Sequence, residues 1–124
     1  MNKSLKSVAG AIAAGLALVL SLGACSAGAD DLAPSNQKIT QVIDVRTAEE
    51  YALSHIDGAI NIDVESGDFA AGIAQLDKSG VYLVYCHSGR RSAIAAGEME
   101  SAGLTVLDGG AFQSMLDRGW QLAS

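Results

Sequence analysis

The chain has 124 residues, of which 49% are hydrophobic and 18% are charged, and its formal net charge is −6 at neutral pH. This length allows one small domain with its own core. Because an acidic protein repels phosphate backbones and gains nothing from anionic lipid, nucleic-acid binding is disfavoured, and any membrane attachment would need a lipid. The expected partners are small molecules or proteins.

Residues 1–24 have the pattern of a secretory signal. Two lysines form a basic start, residues 8–20 are almost purely apolar, and small residues follow. The apolar part is too short to span a membrane as a helix. Residues 22–25, Leu-Gly-Ala-Cys, resemble the lipobox of bacterial lipoproteins, which implies cleavage before Cys25 and acylation of its thiol, with palmitate as an expected chain. The alternative is an ordinary signal whose cleavage leaves Cys25 as a plain thiol.

Removal of the signal would leave 100 residues with a formal charge of −8. Residues 25–37 contain small and polar residues and the only proline, which predicts a lipidated tether. The domain is then expected at residues 38–124. The expected location is the cell envelope, outside the cytoplasm and anchored to a membrane through the lipid.

The remaining chain alternates between strand and helix patterns. The predicted elements, in chain order, are a strand at 39–45, a helix at 47–55, a strand at 58–63, a helix at 68–78, a strand at 80–86, a helix at 91–103, a strand at 104–108 and a helix at 111–120. Thr47, followed three residues later by Glu50, predicts a capping box for the first helix. Such alternation predicts an α/β fold with a parallel sheet and helices on both faces.

Cys86 ends the most apolar predicted strand. Ligands of such sheets bind at the carboxyl ends of the strands, so this thiol is expected at the functional edge. If Cys25 is acylated, Cys86 is the only free thiol of an exported chain, which favours a reactive group. The alternative is a buried core cysteine. No motif predicts a phosphate loop, a metal site or any other cofactor.

The segment after Cys86 could make its thiol a nucleophile. A thiol ionises more readily near cations and helix N-termini, and Arg90, Arg91 and a predicted helix follow. Gly89 can adopt a positive φ, so that successive backbone N–H groups converge into an anion-binding nest just beyond the sulfur. Ser92 could add a hydroxyl or cap the helix. The pattern predicts a thiolate beneath an anion cradle.

A cysteine protease is not predicted, because amide hydrolysis needs an oriented histidine base. His87 is expected to face solvent and tune substrate access, and His55 to make structural hydrogen bonds. Tyrosine-phosphatase-like enzymes place five residues between cysteine and arginine, usually after a histidine. Here four residues separate Cys86 from Arg91, and Tyr85 precedes the cysteine. The tighter loop favours a small group on the cysteine, such as one added sulfur atom.

Three motifs together resemble the rhodanese superfamily in its single-domain form. Residues 42–62, VIDVRTAEEYALSHIDGAINI, are similar to its first signature, and residues 84–92, VYCHSGRRS, to its Cys-x-x-Gly-x-Arg-Ser loop. Residues 106–110, VLDGG, resemble the paired glycines after the last core strand. The resemblance covers about residues 40–120 and implies a rhodanese-like fold.

The resemblance also implies sulfurtransferase chemistry. Cys86 would take a sulfane sulfur from a small anionic donor, thiosulfate or a persulfide, and pass it to cyanide or a thiol. N–H groups of the loop, from His87 and Ser88 to Ser92, would stabilise the persulfide. Arg91 would pin the loop and support the anion, and Arg90 would help to select anionic donors.

Other matched positions are expected to hold the fold. Asp44 and Arg46 would brace the strand end near the loop. The remaining positions of this kind are Glu50, Gly58 and Asn61, and Gly109 with Gly110 at a tight strand-to-helix turn. Met115 lies where the family usually has an aromatic residue, with Trp120 later, which predicts different packing near the pocket.

Two other functions stay open. The domain could carry sulfur or bind a partner protein without turnover. A phosphatase or arsenate reductase is a third reading, which the loop spacing disfavours. The physiological donor and acceptor, the membrane and the oligomeric state do not follow from the sequence.

Overall fold

The structure is a computed structural model that describes residues 38–124. The predicted signal, lipidation site and tether lie outside the described residues. Within residues 38–124, no helix is long and apolar enough to cross a membrane.

Four parallel strands form one sheet in the order β2-β1-β3-β4. The strands are β1 (Gln41–Asp44), β2 (Ile60–Asn61), β3 (Val81–Cys86) and β4 (Thr105–Ala111). The helices are α1 (Ala48–Leu53), α2 (Phe69–Ala74), α3 (Arg90–Ser101) and α4 (Phe112–Asp117). Strand and helix alternate throughout, so the predicted α/β fold is confirmed.

The two faces of the sheet bury separate sets of side chains. Alternate residues of a strand point to opposite faces. Tyr82, Val84 and Cys86 of β3 pack in the cluster that includes residues of α2 and α3. Leu83 and Tyr85 pack on the other face, in the cluster that includes Met115 of α4. The thiol of Cys86 therefore lies on the same face as α3, the helix that follows it.

Helix α1 begins as its sequence predicts. The Thr47 side chain accepts a hydrogen bond from the Glu50 N–H, and the Glu50 carboxylate accepts one from the Thr47 N–H. The helix ends at Leu53, two residues short of the prediction, because Ser54 adopts an extended conformation. Helix α2 is also shorter than predicted, since Gln75 follows its last residue as the C-cap.

The paired glycines differ from the prediction. They were expected to form a turn between strand and helix, but they lie inside β4. Val84 pairs with Asp108 and Cys86 with Ala111, so β4 has one residue more than β3 between these pairs, which is a β-bulge. Helix α4 starts directly after this strand. The bulge places Ala111 beside the end of β3, next to the loop that follows Cys86.

Candidate active site

Cys86 is the last residue of β3, and its side chain is fully buried. Only residues 87–89 separate it from α3. The Gly89 N–H donates a hydrogen bond to the Cys86 Sγ over 2.9 Å. The loop therefore folds back over the sulfur and places a backbone donor against it. The prediction of a thiol at the carboxyl edge of the sheet is confirmed.

Gly89 makes this turn possible. Its φ is +101°, in the left-handed region that glycine adopts readily. It is also the N-cap of α3, and no side chain caps the helix. The first backbone N–H groups of a helix have no intrahelical acceptors, so this end of α3 offers donors and a positive partial charge at the site. Gly89 thus supplies the conformation that an anion-binding nest requires.

Ser92 does not cap α3, so that alternative is wrong. The residue lies within the first turn and is fully buried. Its hydroxyl donates to the Gly89 carbonyl over 3.1 Å. Because the Ser92 side chain bonds the residue that donates to the sulfur, it holds the loop in shape.

Arg91 is bound by carboxylates. Its Nη1 and Nη2 donate to the two Glu50 oxygens over 2.7 and 3.0 Å, and Nη1 lies 3.7 Å from Glu65. The bonds from Arg91 lower the pKa of Glu50 to about 2, against the opposing effect of burial. The bonds to Glu50 in turn raise the pKa of Arg91. Arg91 was expected to pin the loop, but its side chain joins α3 to α1, and these carboxylates offset its charge. Its support of a substrate anion stays a prediction.

Arg90 has a different environment. It is exposed and, within residues 38–124, makes no ion pair. It opens onto a hollow of about 430 Å³ beside the loop. The residues that line this hollow, called here the donor pocket, are Val64, Glu65, Ser88, Arg90, Arg91 and Ile94. Arg90 is therefore the cation of the loop that is available to a ligand.

The two histidines are placed as the sequence predicts. His87 is exposed and lines a second hollow with Leu53 and Phe112. His55 stacks on the Tyr51 ring with the centroids 3.8 Å apart, and its Nδ1 lies 2.9 Å from the Tyr51 carbonyl oxygen. These contacts of His55 tie it to α1, which is a structural role.

A buried polar network braces the strand end beside Cys86. Arg46 donates to both oxygens of the Asp44 carboxylate, with the shortest contact at 2.6 Å, and to the Ser54 carbonyl at the end of α1. The Tyr85 hydroxyl donates to Asp44 and accepts from the Ile56 N–H. Burial alone would lower the pKa of Arg46, but the bonds to Asp44 outweigh it and the net pKa is raised. The expected ion pair is present, and it is structural.

Burial, supported by the bond to Asp44, raises the pKa of Tyr85, which keeps its hydroxyl protonated. The Asn61 amide extends the network by donating to the carbonyls of Asp44 and Arg46 over 3.0 and 2.8 Å. Both contacts fit the expectation that Asn61 holds the fold. The strand that leads to Cys86 is thereby fixed from the side of β1 and β2.

Sequence reasoning missed Phe112 and the hydroxyl of Tyr85. The Phe112 ring stacks on the Tyr85 ring at 5.6 Å, and the Arg46 guanidinium lies 4.6 Å from its centroid. The sequence contains a signal for Phe112, because it is the first aromatic residue after the paired glycines. Glu65 was also missed, and nothing in its local sequence indicates a contact with Arg91.

The bulge of β4 packs against the loop that follows Cys86. Ser88 pairs with Ala111 in an isolated antiparallel bridge. A Cβ at Gly109 would lie 2.6 Å from the Met115 Sδ and 2.9 Å from the Val84 carbonyl oxygen, so only glycine fits. The loop that covers the sulfur is therefore docked on a tightly packed strand.

The site thus combines the buried Cys86 thiol, the Gly89 N–H that donates to its sulfur, and the exposed Arg90 guanidinium. Among the described residues no group of three or more metal-ligating side chains comes together. The arrangement suits attack by sulfur on a small anion, followed by storage of a negatively charged adduct under the loop.

Comparison with known proteins identifies the family. Residues 29–115, more than half of the chain, match the rhodanese-like domain. The chain belongs to the rhodanese-like family. It is 38% identical over 66 residues to the thiosulfate sulfurtransferase PspE of Escherichia coli (strain K12), covering 53% of this chain and 64% of PspE.

Two further similarities accompany this match. The chain is 37% identical over 62 residues to YrkF of Bacillus subtilis (strain 168), named as a candidate sulfur carrier, covering 50% of this chain and 32% of YrkF. A solved rhodanese with anions from E. coli has a TM-score of 0.57 at 29% identity, covering 68% of this chain and 96% of that one. The chain thus spans under two thirds of the length of both curated relatives.

Proposed function

We propose that this rhodanese-like protein is a sulfurtransferase that moves a sulfane sulfur from thiosulfate or a persulfide to a thiophilic acceptor through a persulfide on Cys86. The observation that carries the proposal is the Gly89 N–H on the Cys86 sulfur at the uncapped end of α3. This geometry supports a negatively charged sulfur by the logic of an oxyanion hole. The relative named as a thiosulfate sulfurtransferase supports the same chemistry.

The reaction has two half-steps. The Cys86 thiolate attacks the outer sulfur of thiosulfate, a new sulfur–sulfur bond forms, and sulfite leaves with the electron pair of the bond that breaks. An acceptor, cyanide or a thiolate, then attacks the outer sulfur of the persulfide and releases the Cys86 thiolate. No base is needed at either step once the thiol is ionised. Arg90 would attract the anionic donor, and the loop would hold the charged intermediate.

The proposal includes a location outside the cytoplasm, with a lipid on Cys25 anchoring the protein to a membrane of the cell envelope. The basic start, the short apolar stretch and the lipobox support it. Residues 25–37 would then tether the domain to the surface. Mass spectrometry of the protein from a membrane fraction would test it, since a diacylglyceryl group on Cys25 and loss of residues 1–24 are expected.

A second candidate function is a sulfur carrier without appreciable turnover. The fully buried Cys86 thiol favours it, because the loop that protects a stored sulfur also restricts acceptors. The relative named as a candidate sulfur carrier points the same way. A phosphatase or arsenate reductase is disfavoured by the four residues between Cys86 and Arg91.

Intact-mass analysis of the chain without residues 1–25 tests the proposal. Thiosulfate treatment should add one sulfur atom to the wild type, cyanide should remove it, and Cys86→Ser should show no gain. Repeated turnover of thiosulfate with cyanide supports an enzyme, whereas loading without turnover supports a carrier. Hydrolysis of an aryl phosphate without any sulfur gain would overturn both.

A further inference from the structure

An arginine of α4 binds the backbone of β4 at the bulge. Within residues 38–124, β4 lies at one edge of the sheet and has a neighbouring strand on one side only. The Arg118 Nη1 donates to the Gly109 carbonyl oxygen over 3.0 Å. Arg118 is half-buried and is the C-cap of α4, where its own N–H donates to carbonyls of that helix. A charged donor with a fixed backbone therefore holds the carbonyl, and such hydrogen bonds are stronger than neutral ones.

An aspartate binds the next residue of the same bulge. The Asp108 Oδ1 accepts a hydrogen bond from the Gly110 N–H over 2.9 Å. Gly110 has a φ of +75°, so the backbone turns here through a left-handed conformation. The carboxylate stabilises that turn. Two charged side chains, Arg118 and Asp108, thus hold two successive residues of the bulge.

The bulge lies against the residue that donates to the sulfur. A Cβ at Gly89 would be 3.8 Å from both the Gly110 Cα and the Ala111 N, so the two segments are direct neighbours. Ser88 pairs with Ala111 in the antiparallel bridge. The Gly89 N–H in turn donates to the Cys86 Sγ over 2.9 Å. A shift of the bulge would therefore reach the donor on the sulfur by direct contact.

We infer that Arg118 and Asp108 are positioning residues for the sulfur chemistry, because they fix the bulge that places the Gly89 N–H on the Cys86 sulfur. The inference rests on the proposed function and adds to it two residues outside the loop. Neither side chain lines the donor pocket or the hollow beside His87. They are therefore expected to affect the rate of sulfur uptake and not the binding of the donor.

The first test measures sulfur uptake by Arg118→Ala. Rapid mixing with thiosulfate, followed by intact mass, gives the single-turnover rate constant at saturating donor and the donor concentration at half that rate. The rate constant should fall about 5-fold, because a displaced N–H stabilises a charged sulfur less, and the half-saturating concentration should not change. Lower stability alone would not produce this result, since the rate constant does not depend on the fraction of folded protein. Lys78→Ala makes the same charge change in the hollow between α2 and α3 and should take up sulfur like the wild type.

Asp108 is tested with a pair of variants. Asp108→Ala removes the acceptor of the Gly110 N–H and should lower the same rate constant about 2-fold, less than Arg118→Ala, because Asp108 is exposed and water can replace the lost acceptor. Asp108→Asn keeps an acceptor oxygen and should restore the wild-type rate constant. Asp117→Ala is the control, since it removes another exposed carboxylate that accepts a local bond, from Gln113 within α4.

A second measurement follows the Gly89 N–H directly. Amide hydrogen exchange of the reduced protein, observed by NMR, reports how firmly this group is held. Exchange at Gly89 should be about 5-fold faster in Arg118→Ala than in the wild type. In Lys78→Ala it should be unchanged. This measurement does not require that the protein transfer sulfur.

The two measurements separate the proposals. If intact mass shows no sulfur on Cys86 of the wild type, the sulfurtransferase proposal fails, and unchanged exchange at Gly89 in Arg118→Ala would overturn this inference separately. If the wild type takes up sulfur, a wild-type rate constant in Arg118→Ala, or an equal loss in Lys78→Ala, overturns the inference alone. Equal losses in Asp108→Asn and Asp108→Ala would overturn the assignment of Asp108.

Discussion

At the scale of single residues, Gly89 meets two structural requirements of the loop. Its positive φ turns the chain over the sulfur, and the same turn directs its N–H at the Cys86 Sγ. A side chain would not collide, since the nearest atoms to a Cβ at this position are 3.8 Å away. The cost of any other residue is therefore conformational, and it falls on the loop that stores the sulfur.

Gly89→Ala should lower the free energy of unfolding by about 1 kcal/mol, the cost of a left-handed conformation for a residue with a Cβ. It should also slow the loading of Cys86 with sulfur, because the loop relaxes and the backbone N–H of residue 89 moves away from the Cys86 sulfur. Urea unfolding and time-resolved intact mass measure the two effects. Gly97→Ala is the control within α3, where open space surrounds the Cβ and higher helix propensity should stabilise the protein. Equal stability of Gly89→Ala and the wild type would contradict the prediction.

The residues of the loop could be predicted because their chemistry is local. Cys86, Gly89 and Arg90 lie within five positions, and a buried strand before them fixes where they must be. The contact between Glu50 and Arg91 could not be predicted, since the two residues are 41 positions apart and nothing in either segment specifies the other. The sequence indicated Glu50 as a capping-box residue and as a position that stabilises the fold, but it did not identify Arg91 as its partner.

At the scale of elements, the Glu50–Arg91 pair joins α1 to α3 across the end of the sheet. The pKa of Glu50 falls from 4.5 to about 2 when the protein folds, first because of the bonds from Arg91. A carboxyl with a lowered pKa stabilises the fold fully above its unfolded value. Its contribution is therefore lost as pH falls from about 4.5 towards 2.

Glu50→Gln should reduce the free energy of unfolding at pH 7 by about 1 kcal/mol, a modest value because the Glu50 side chain is 31% exposed and solvent screens the pair. The difference in the free energy of unfolding between the variant and the wild type should become smaller as pH falls below 4.5. Urea unfolding at pH 7 and pH 3 measures it. Glu49→Gln, its exposed neighbour in the first turn of α1, is the control and should show little change at either pH. A deficit that is independent of pH would contradict the ionic explanation.

The bulge of β4 is the second element-scale feature, and its sequence signal was misinterpreted. Paired glycines after a strand indicate that no Cβ fits, but they do not distinguish a turn from a bulge. The distinction depends on Val84 and Met115, which approach Gly109 from other elements. The lengths of α1 and α2 were overestimated as well, because helical periodicity does not specify where the backbone leaves the helical conformation, as it does at Ser54 after α1.

Gly109→Ala should destabilise the protein by about 1–3 kcal/mol, because the new methyl group overpacks against the Met115 sulfur and the Val84 carbonyl. The Ser88–Ala111 bridge should loosen with it, which would speed alkylation of the Cys86 thiol. Denaturation and alkylation rates measure these effects. Gly67→Ala, at an exposed position with open space around the Cβ, should change neither quantity. Wild-type stability of Gly109→Ala would show that β4 can shift to accept a side chain.

At the scale of the whole molecule, the charge of the protein opposes its proposed substrate. The chain carries a formal net charge of −6, yet the proposed donor is an anion. Long-range attraction therefore cannot bring the donor to Cys86, and the end of α3 with Arg90 must attract it over a short range. The fold makes this possible by placing the loop, the helix end and the bulge at one edge of the sheet. The order of elements and this edge could be predicted from alternation alone, whereas the pairing of charges around the loop could not.

Arg90→Gln and Lys78→Gln separate the local from the global effect, because each makes the net charge more negative by one. Lys78 is exposed and lines the hollow between α2 and α3, away from the donor pocket. Arg90→Gln should lower kcat/KM for thiosulfate about 5-fold at low ionic strength, and the loss should narrow as salt screens the guanidinium. Lys78→Gln should leave the kinetics within error of the wild type. Equal losses in the two variants would mean that donors respond to the net charge of the protein, and Arg90 would then have no special role in selecting them.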